Sequence, residues 1–216
     1  MIKLVILDFD DTLSLTEEAF FYLENKIAEK LGFPPMTREA HQKNWGKPVK
    51  EAIRERIPGM DPDKFMQIHK EYFSEALANG EADRISDENI ATLVKLKSDG
   101  KRLAILTSRT YQEVEHLLDE NHHINNYVEK IYHMDNSEYH KPDPRVFKQI
   151  LKDFSVTPQE AVYVGDSVGD AAAAKGAGLH FIAVLESGLR IRDDFKSHSV
   201  DYFALEFSDI LSFLKD

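Results

Sequence analysis

Cysteine is absent from this 216-residue chain, which rules out disulfides and thiolate metal sites. Any metal ion must then be held by oxygen or nitrogen ligands. Long apolar runs are absent too. The run nearest the start, Leu4 to Leu7, falls far short of the roughly 20 residues a membrane span needs and is too short for a signal peptide. Positive charge is scarce: 27 Lys and Arg stand against 38 Asp and Glu, a net charge of −11. Such a surface repels nucleic acid and anionic membrane, and no arginine-rich patch compensates. What remains suits a soluble globular protein, 42% hydrophobic with a mean hydropathy of −0.42. The expectation is a cytoplasmic monomer or homodimer, long enough for a core and a small accessory domain.

The most informative stretch is Leu4-Val5-Ile6-Leu7-Asp8-Phe9-Asp10-Asp11-Thr12-Leu13. Its apolar start reads as a strand buried on both faces. Asp8 and Asp10 follow at its C-terminal end, where open α/β sheets place their ligand sites. Residues i and i+2 of an extended segment point the same way, so the two carboxylates repel unless a divalent cation lies between them. An Asp-rich turn is the plain alternative, since Asp and Thr are common turn and cap residues.

Three further fragments bear on that choice. Leu103 to Leu106 is a second apolar strand, ending in Thr107-Ser108-Arg109. His140-Lys141-Pro142-Asp143-Pro144 places a lysine in a proline-stiffened loop. Ala161 to Val164 is a third strand, followed by Gly165-Asp166 and by Asp170 four residues beyond. In this order the four pieces span the chain and resemble the haloacid dehalogenase-like hydrolase superfamily, in particular its phosphoglycolate phosphatase and β-phosphoglucomutase-like group.

The resemblance implies an α/β fold with a Rossmann-like parallel sheet, its first strand central, and Mg²⁺ as cofactor. It assigns Asp8 as a nucleophile that forms an aspartyl-phosphate, and Asp10 as general acid and then general base. Dehalogenating members lack this second Asp, so Asp10 argues for phosphate chemistry. Asp166 is implied as a metal ligand beside Asp8 and the backbone carbonyl of Asp10, with Asp170 an outer ligand. For Asp170 the alternative is a negative charge complementing a helix N-terminus. Thr107, Ser108 and Lys141 are implied to hold the phosphoryl oxygens, a task suited to hydroxyl donors and a fixed cation. Thr12 is expected to order the first loop. Asp11 stands where many members have Gly; Asp tolerates a left-handed backbone better than most residues, so the turn can survive. Arg109 reads either as a contact to a substrate anion or as a surface residue.

Roughly ninety residues separate the first two strands, more than one crossover needs. Phe20, Leu23, Ile27 and Leu31 recur at helical spacing, as do Val49, Ile53 and Ile57. A longer helix is predicted over 62–78, with Phe65, Ile68, Tyr72, Phe73 and Leu77 inward and Asn79-Gly80 as the stop. Residues 15–85 are therefore expected to form an inserted helical domain, and 1–14 with 86–216 the catalytic core. The resemblance implies that the insert is a cap over the active site. In it, Trp45, Gly46 and Lys47 resemble a substrate loop, and Lys43, Lys47, Lys50, Arg54 and Arg56 outnumber Glu51 and Glu55. The competing reading makes Trp45 cap core and the lysines a solvated helix face.

After the insert, helices at 87–98, 110–120, 144–154, 168–175 and 207–215 are expected to alternate with strands at 102–107, 129–133, 161–164 and 180–185. The nine histidines read as surface residues, with the rings of His122 and His123 diverging. The resulting expectation is a Mg²⁺-dependent phosphatase acting on a small phosphorylated metabolite. A phosphomutase, a pyrophosphatase and a non-catalytic phosphate binder are the alternatives.

Overall fold

Short runs of Val, Ile, Leu and Ala form a six-stranded sheet in the computed structural model of the chain, which describes residues 1–215. The strands are β1 (Leu4–Leu7), β2 (Arg102–Leu106), β3 (Lys130–Tyr132), β4 (Ala161–Gly165), β5 (His180–Val184) and β6 (Tyr202–Ala204). Their order is β3-β2-β1-β4-β5-β6, every neighbouring pair parallel. The helices are α1 (Glu17–Lys30), α2 (Arg38–Lys43), α3 (Val49–Arg56), α4 (Pro62–Ala78), α5 (Asp87–Ser98), α6 (Tyr111–Val114), α7 (Phe147–Phe154), α8 (Val168–Gly176) and α9 (Ile210–Leu214). This is the α/β Rossmann-like architecture expected from the motifs.

Strand alternation divides the core into two layers. Val5, Leu7, Leu103, Ile105, Val162 and Val164 pack on one face of the sheet. Leu4, Ile6, Ala104, Leu106, Ala161 and Tyr163 pack on the other. Full burial of such side chains contributes about 1.5–3 kcal/mol each, which fixes the register. That register pairs Leu7 with both Ile105 and Val164, so Asp8, Thr107 and Asp166 all emerge at the same end of the sheet.

The chain divides into two compact units, Met1–Leu13 with Ile85 onward, and Ser14–Arg84. The first and last residues of the second unit are bonded, Ser14 Oγ donating to the Arg84 carbonyl at 2.9 Å. Within it, Phe20, Leu23, Ile27, Met36, Ile53, Phe65 and Phe73 form an apolar core. Helix α4 starts and stops where the sequence indicates. Asp61 caps it by accepting from Asp63 N at 2.9 Å, Pro62 takes the first turn, and Asn79-Gly80 follows its end.

Several expectations are corrected. Helix α2 and strand β6 were not anticipated: α2 is six residues, all but Ala40 polar, capped by Thr37, and β6 has three residues at the sheet edge. The segment 110–120 is a single α-helical turn, α6, followed by a 3₁₀ turn at Glu115–Leu118. Ile68, Tyr72 and Leu77 are only partly buried. His41, His69 and His133 lie inside rather than on the surface. The rings of His122 and His123 stack, with centroids 4.6 Å apart. Arg56 is not part of a basic surface. It is buried, its Nη1 donating to both oxygens of fully buried Glu24 at 2.8 and 2.7 Å.

His41 shares that buried network, with Nδ1 2.9 Å from Glu17 Oε1 and Nε2 3.6 Å from Glu24 Oε2. Burial, with Arg56 and Arg38 nearby, pushes the His41 pKa down to about 3, so the ring is neutral. Removing one member of a buried ion pair strands the other charge. Arg56→Met is therefore expected to destabilise the helical unit by about 3–5 kcal/mol. Urea unfolding followed through the fluorescence of Trp45, the only tryptophan and a member of this unit, checks it.

Candidate active site

The end of β1 delivers Asp8 in extended geometry, its N–H donating to the Val164 carbonyl at 2.8 Å. The chain then turns sharply. Leu13 N donates to the Phe9 carbonyl at 3.0 Å, and Asp11 adopts a left-handed backbone with φ of 50°. Asp11 thus fills a position that glycine often takes, at a backbone strain that Asp bears better than most residues. Its side chain is buried, and its charge is one of those that raise the pKa of Asp166. Asp11 therefore adds to the negative potential of the site. The Thr12 hydroxyl is buried without a hydrogen-bond partner among the described residues.

Asp166 follows β4 directly, and Asp170 lies in the first turn of α8. Oxygens of Asp8, Asp166 and Asp170 lie within 4.8 Å of one another, all three residues buried. Burial, then the neighbouring Asp170 and the other carboxylates, raises Asp166 well above the ordinary range. Burial raises Asp8 to about 7, Asp170 and Asp10 pushing the same way while Lys141 opposes them. Three buried hard oxygen donors, two of them pushed toward the neutral form, are a set that a divalent cation relieves, so the residues fit a metal.

Lys141 supplies the fixed positive charge. The side chain is 8% exposed, with Nζ 2.8 Å from Asp8 Oδ2 and 2.9 Å from Asp170 Oδ1. Burial alone would lower its pKa, but Asp170 and Asp8 more than offset that and raise it. The Lys141–Pro142 peptide is cis.

Asp170 has two sets of partners, and the first of them is the helix N-terminus that one of its readings from sequence named. Oδ2 accepts from Ser167 N at 3.0 Å and Ser167 Oγ at 2.6 Å, while Asp170 N donates to Ser167 Oγ at 3.1 Å. This is a capping box at the start of α8. Oδ1 is left to face Lys141.

Thr107 follows β2 and is buried, with Oγ1 accepting from Arg109 N at 3.2 Å. Ser108 beside it is half-buried. The carboxylate of Asp10 lies outside the group of three and is gripped by Arg109, whose Nε and Nη2 donate to Oδ2 and Oδ1 at 2.9 and 2.6 Å.

Two residues that sequence reasoning passed over belong here. Tyr163 is a buried aromatic in a strand that is otherwise aliphatic, and that contrast was its only signal. Its hydroxyl accepts from Lys141 Nζ at 2.8 Å and donates to the Leu106 carbonyl at 3.1 Å, joining the lysine to the end of β2. Gly165 matters for what it lacks, since a Cβ there would fall 2.7 Å from Asp170 Oδ2.

Of the residues assigned to a substrate loop, all lie in the helical unit. Trp45 packs among apolar and aromatic side chains, its ring centroid 5.0 Å from His41 and 5.9 Å from Phe20. Gly46 has φ of +88° with nothing near its missing side chain. Lys47 is exposed and paired with Glu55 at 3.2 Å.

Gly165→Ala is expected to displace the Asp170 carboxylate. It should cost about 1 kcal/mol through the capping box and weaken binding of an added divalent cation by roughly tenfold or more. Thermal unfolding and titration calorimetry measure the two effects separately.

Comparison with known proteins places the chain among relatives of the same fold. The pattern of the haloacid dehalogenase-like hydrolase family matches residues 5–184. Phosphoglycolate phosphatase 1 of Pseudomonas aeruginosa is 28% identical over 188 residues, covering 84% of this chain and 69% of that protein. Protein CbbY of Cereibacter sphaeroides is 30% identical over 194 residues, covering 84% of each. The crystal structure of CbbY from Rhodobacter sphaeroides in complex with phosphate superposes with a TM-score of 0.80 at 25% identity, covering 97% of this chain and 96% of that one. The family pattern spans most of the sheet and every carboxylate of the group. The chain belongs to the haloacid dehalogenase-like hydrolases.

Proposed function

We propose that the protein is a Mg²⁺-dependent phosphomonoesterase that hydrolyses a small phosphorylated metabolite through an aspartyl-phosphate on Asp8. One observation carries this reading: a buried carboxylate at the end of the central strand, grouped with Asp166 and Asp170 and touching a buried lysine. A carboxylate is a weak nucleophile, and covalent catalysis divides one difficult displacement into two easier ones.

In the first step Asp8 attacks phosphorus, the bond to the leaving oxygen breaks, and Asp10 gives that oxygen a proton. In the second, water attacks the aspartyl-phosphate, Asp10 takes its proton, and inorganic phosphate leaves with Asp8 restored. Lys141, Thr107 and Ser108 neutralise and orient the phosphoryl oxygens, work that depends on fixed positions rather than on further covalent chemistry. When bound among Asp8, Asp166, Asp170 and the backbone carbonyl of Asp10, Mg²⁺ supplies charge neutralisation at the phosphoryl group. Tyr163 keeps Lys141 in place. Residues Gly46 and Lys47 of the helical unit are assigned to substrate choice, with Lys47 suited to an anionic group. Phosphoglycolate, in line with the names of relatives, and sugar phosphates head the candidate substrates.

Asp8→Asn is expected to lower phosphate release by more than about 10⁴-fold, since no other group forms the covalent bond. A phosphate-release assay with Mg²⁺ against phosphoglycolate, sugar phosphates, nucleoside monophosphates and pyrophosphate checks it. Turnover by Asp8→Asn comparable with wild type overturns the mechanism, and a preference for pyrophosphate overturns the substrate class. Chelation should abolish release and Mg²⁺ restore it, while Asp166→Asn should raise the Mg²⁺ needed for half-maximal rate by roughly 10- to 100-fold or more.

A further inference from the structure

Arg109 stands next to a substrate-facing pair, Thr107 and Ser108, yet its guanidinium is turned to another side chain of its own unit. Nε donates to Asp10 Oδ2 at 2.9 Å and Nη2 to Oδ1 at 2.6 Å. The partners are 99 residues apart in sequence. The grip is two-pronged, so it fixes the plane of the Asp10 carboxylate as well as its position.

The guanidinium is itself held. Its carbon lies 4.8 Å from the centre of the buried Phe9 ring, and Nη1 donates to the Glu113 carbonyl at 3.4 Å. Arg109 N is tied to Thr107 Oγ1. Glu113 is fixed in turn, its Oε2 accepting from Thr110 N at 2.8 Å. Arg109 is 5% exposed, whereas the Asp10 side chain is 23% exposed. The buried partner is therefore the anchor and the more accessible carboxylate is what it aims.

We infer that Arg109 is a positioning residue for proton transfer by Asp10, holding the carboxylate in one orientation toward the oxygen that gains or loses the proton. The inference rests on the acid and base role proposed for Asp10. Misplacing a transfer group by about 1 Å costs on the order of 100-fold in rate, so a single fork can carry a large kinetic effect without touching substrate. Lysine in place of Arg109 keeps a positive charge but cannot bond both oxygens in one plane.

The test compares two esters in the first turnover of the Mg²⁺-loaded enzyme. p-Nitrophenolate leaves without a proton, whereas an alkoxide such as that of glycerol phosphate needs one. Asp10→Asn and Arg109→Lys are each expected to slow release of the alkyl leaving group about 100-fold more than release of p-nitrophenol. If Asp10→Asn shows that split and Arg109→Lys slows both esters alike, or neither, the inference about Arg109 is overturned while the reading of Asp10 stands. If Asp10→Asn shows no split, the reading of Asp10 falls and the inference with it. Should Arg109→Lys fold poorly by thermal unfolding, Arg109→Met, which keeps much of the volume without the fork, is compared in the same way.

Discussion

The crowding of buried negative charge at one end of a parallel sheet is the constraint around which the rest of the molecule is arranged. Asp8, Asp166 and Asp170 have oxygens within 4.8 Å of one another, and Asp11 adds to the same field. Burial moves Asp8 to about 7 and raises Asp166 well above the ordinary range, so these two carboxylates are pushed toward taking up protons. Several neighbouring groups restrain this tendency. Lys141 is buried against two of the carboxylates, Ser167 and the start of α8 hold one oxygen of Asp170, and Tyr163 anchors the lysine. The parallel register that brings the strand ends together is therefore under both packing and electrostatic demand. Apolar side chains on two faces provide the rigidity, and the polar groups at the strand ends exploit it.

Gly165 and Asp170 show how local structure and the site share atoms. The same carboxylate caps a helix with one oxygen and meets Lys141 with the other. Its approach to the strand is possible because residue 165 has no side chain. A substitution there acts on the fold of α8 and on the charge group at once. The two effects differ in kind, one on stability and one on ligand affinity, although a single displaced side chain causes both.

Much of the sheet was legible because its strands are short aliphatic runs ending in polar residues, a pattern that local sequence carries in full. The groups at those ends were legible for the same reason: Asp8, Thr107 and Asp166 each follow the last buried strand residue. Helix α4 was legible through Asp61-Pro62 at its start and Asn79-Gly80 at its end. Other features depend on partners far away in the chain. Arg56 looked like surface charge until Glu24 was found beside it, 32 residues distant, and His41 owes its burial to the same cluster. Arg109 gave two readings in sequence, and neither was its grip on Asp10. Strand β6 is only three residues long and helix α2 has a single apolar residue, Ala40, so neither announces itself.

The bond between Ser14 and Arg84 bears on how the chain folds. Pairing β1 with β2 requires closing a loop that contains the whole helical unit. For a disordered segment the entropic cost of closure grows with its length, by about 0.6 kcal/mol for each doubling. Once the helical unit has formed its own core, its ends already meet at 2.9 Å, and the loop that β1 and β2 must close is reduced to the flanking segments 8–13 and 85–101, the second of which carries α5. An insert built this way shortens the search for the central strand pair when it folds early. The two chain connections of the helical unit therefore enter and leave it side by side.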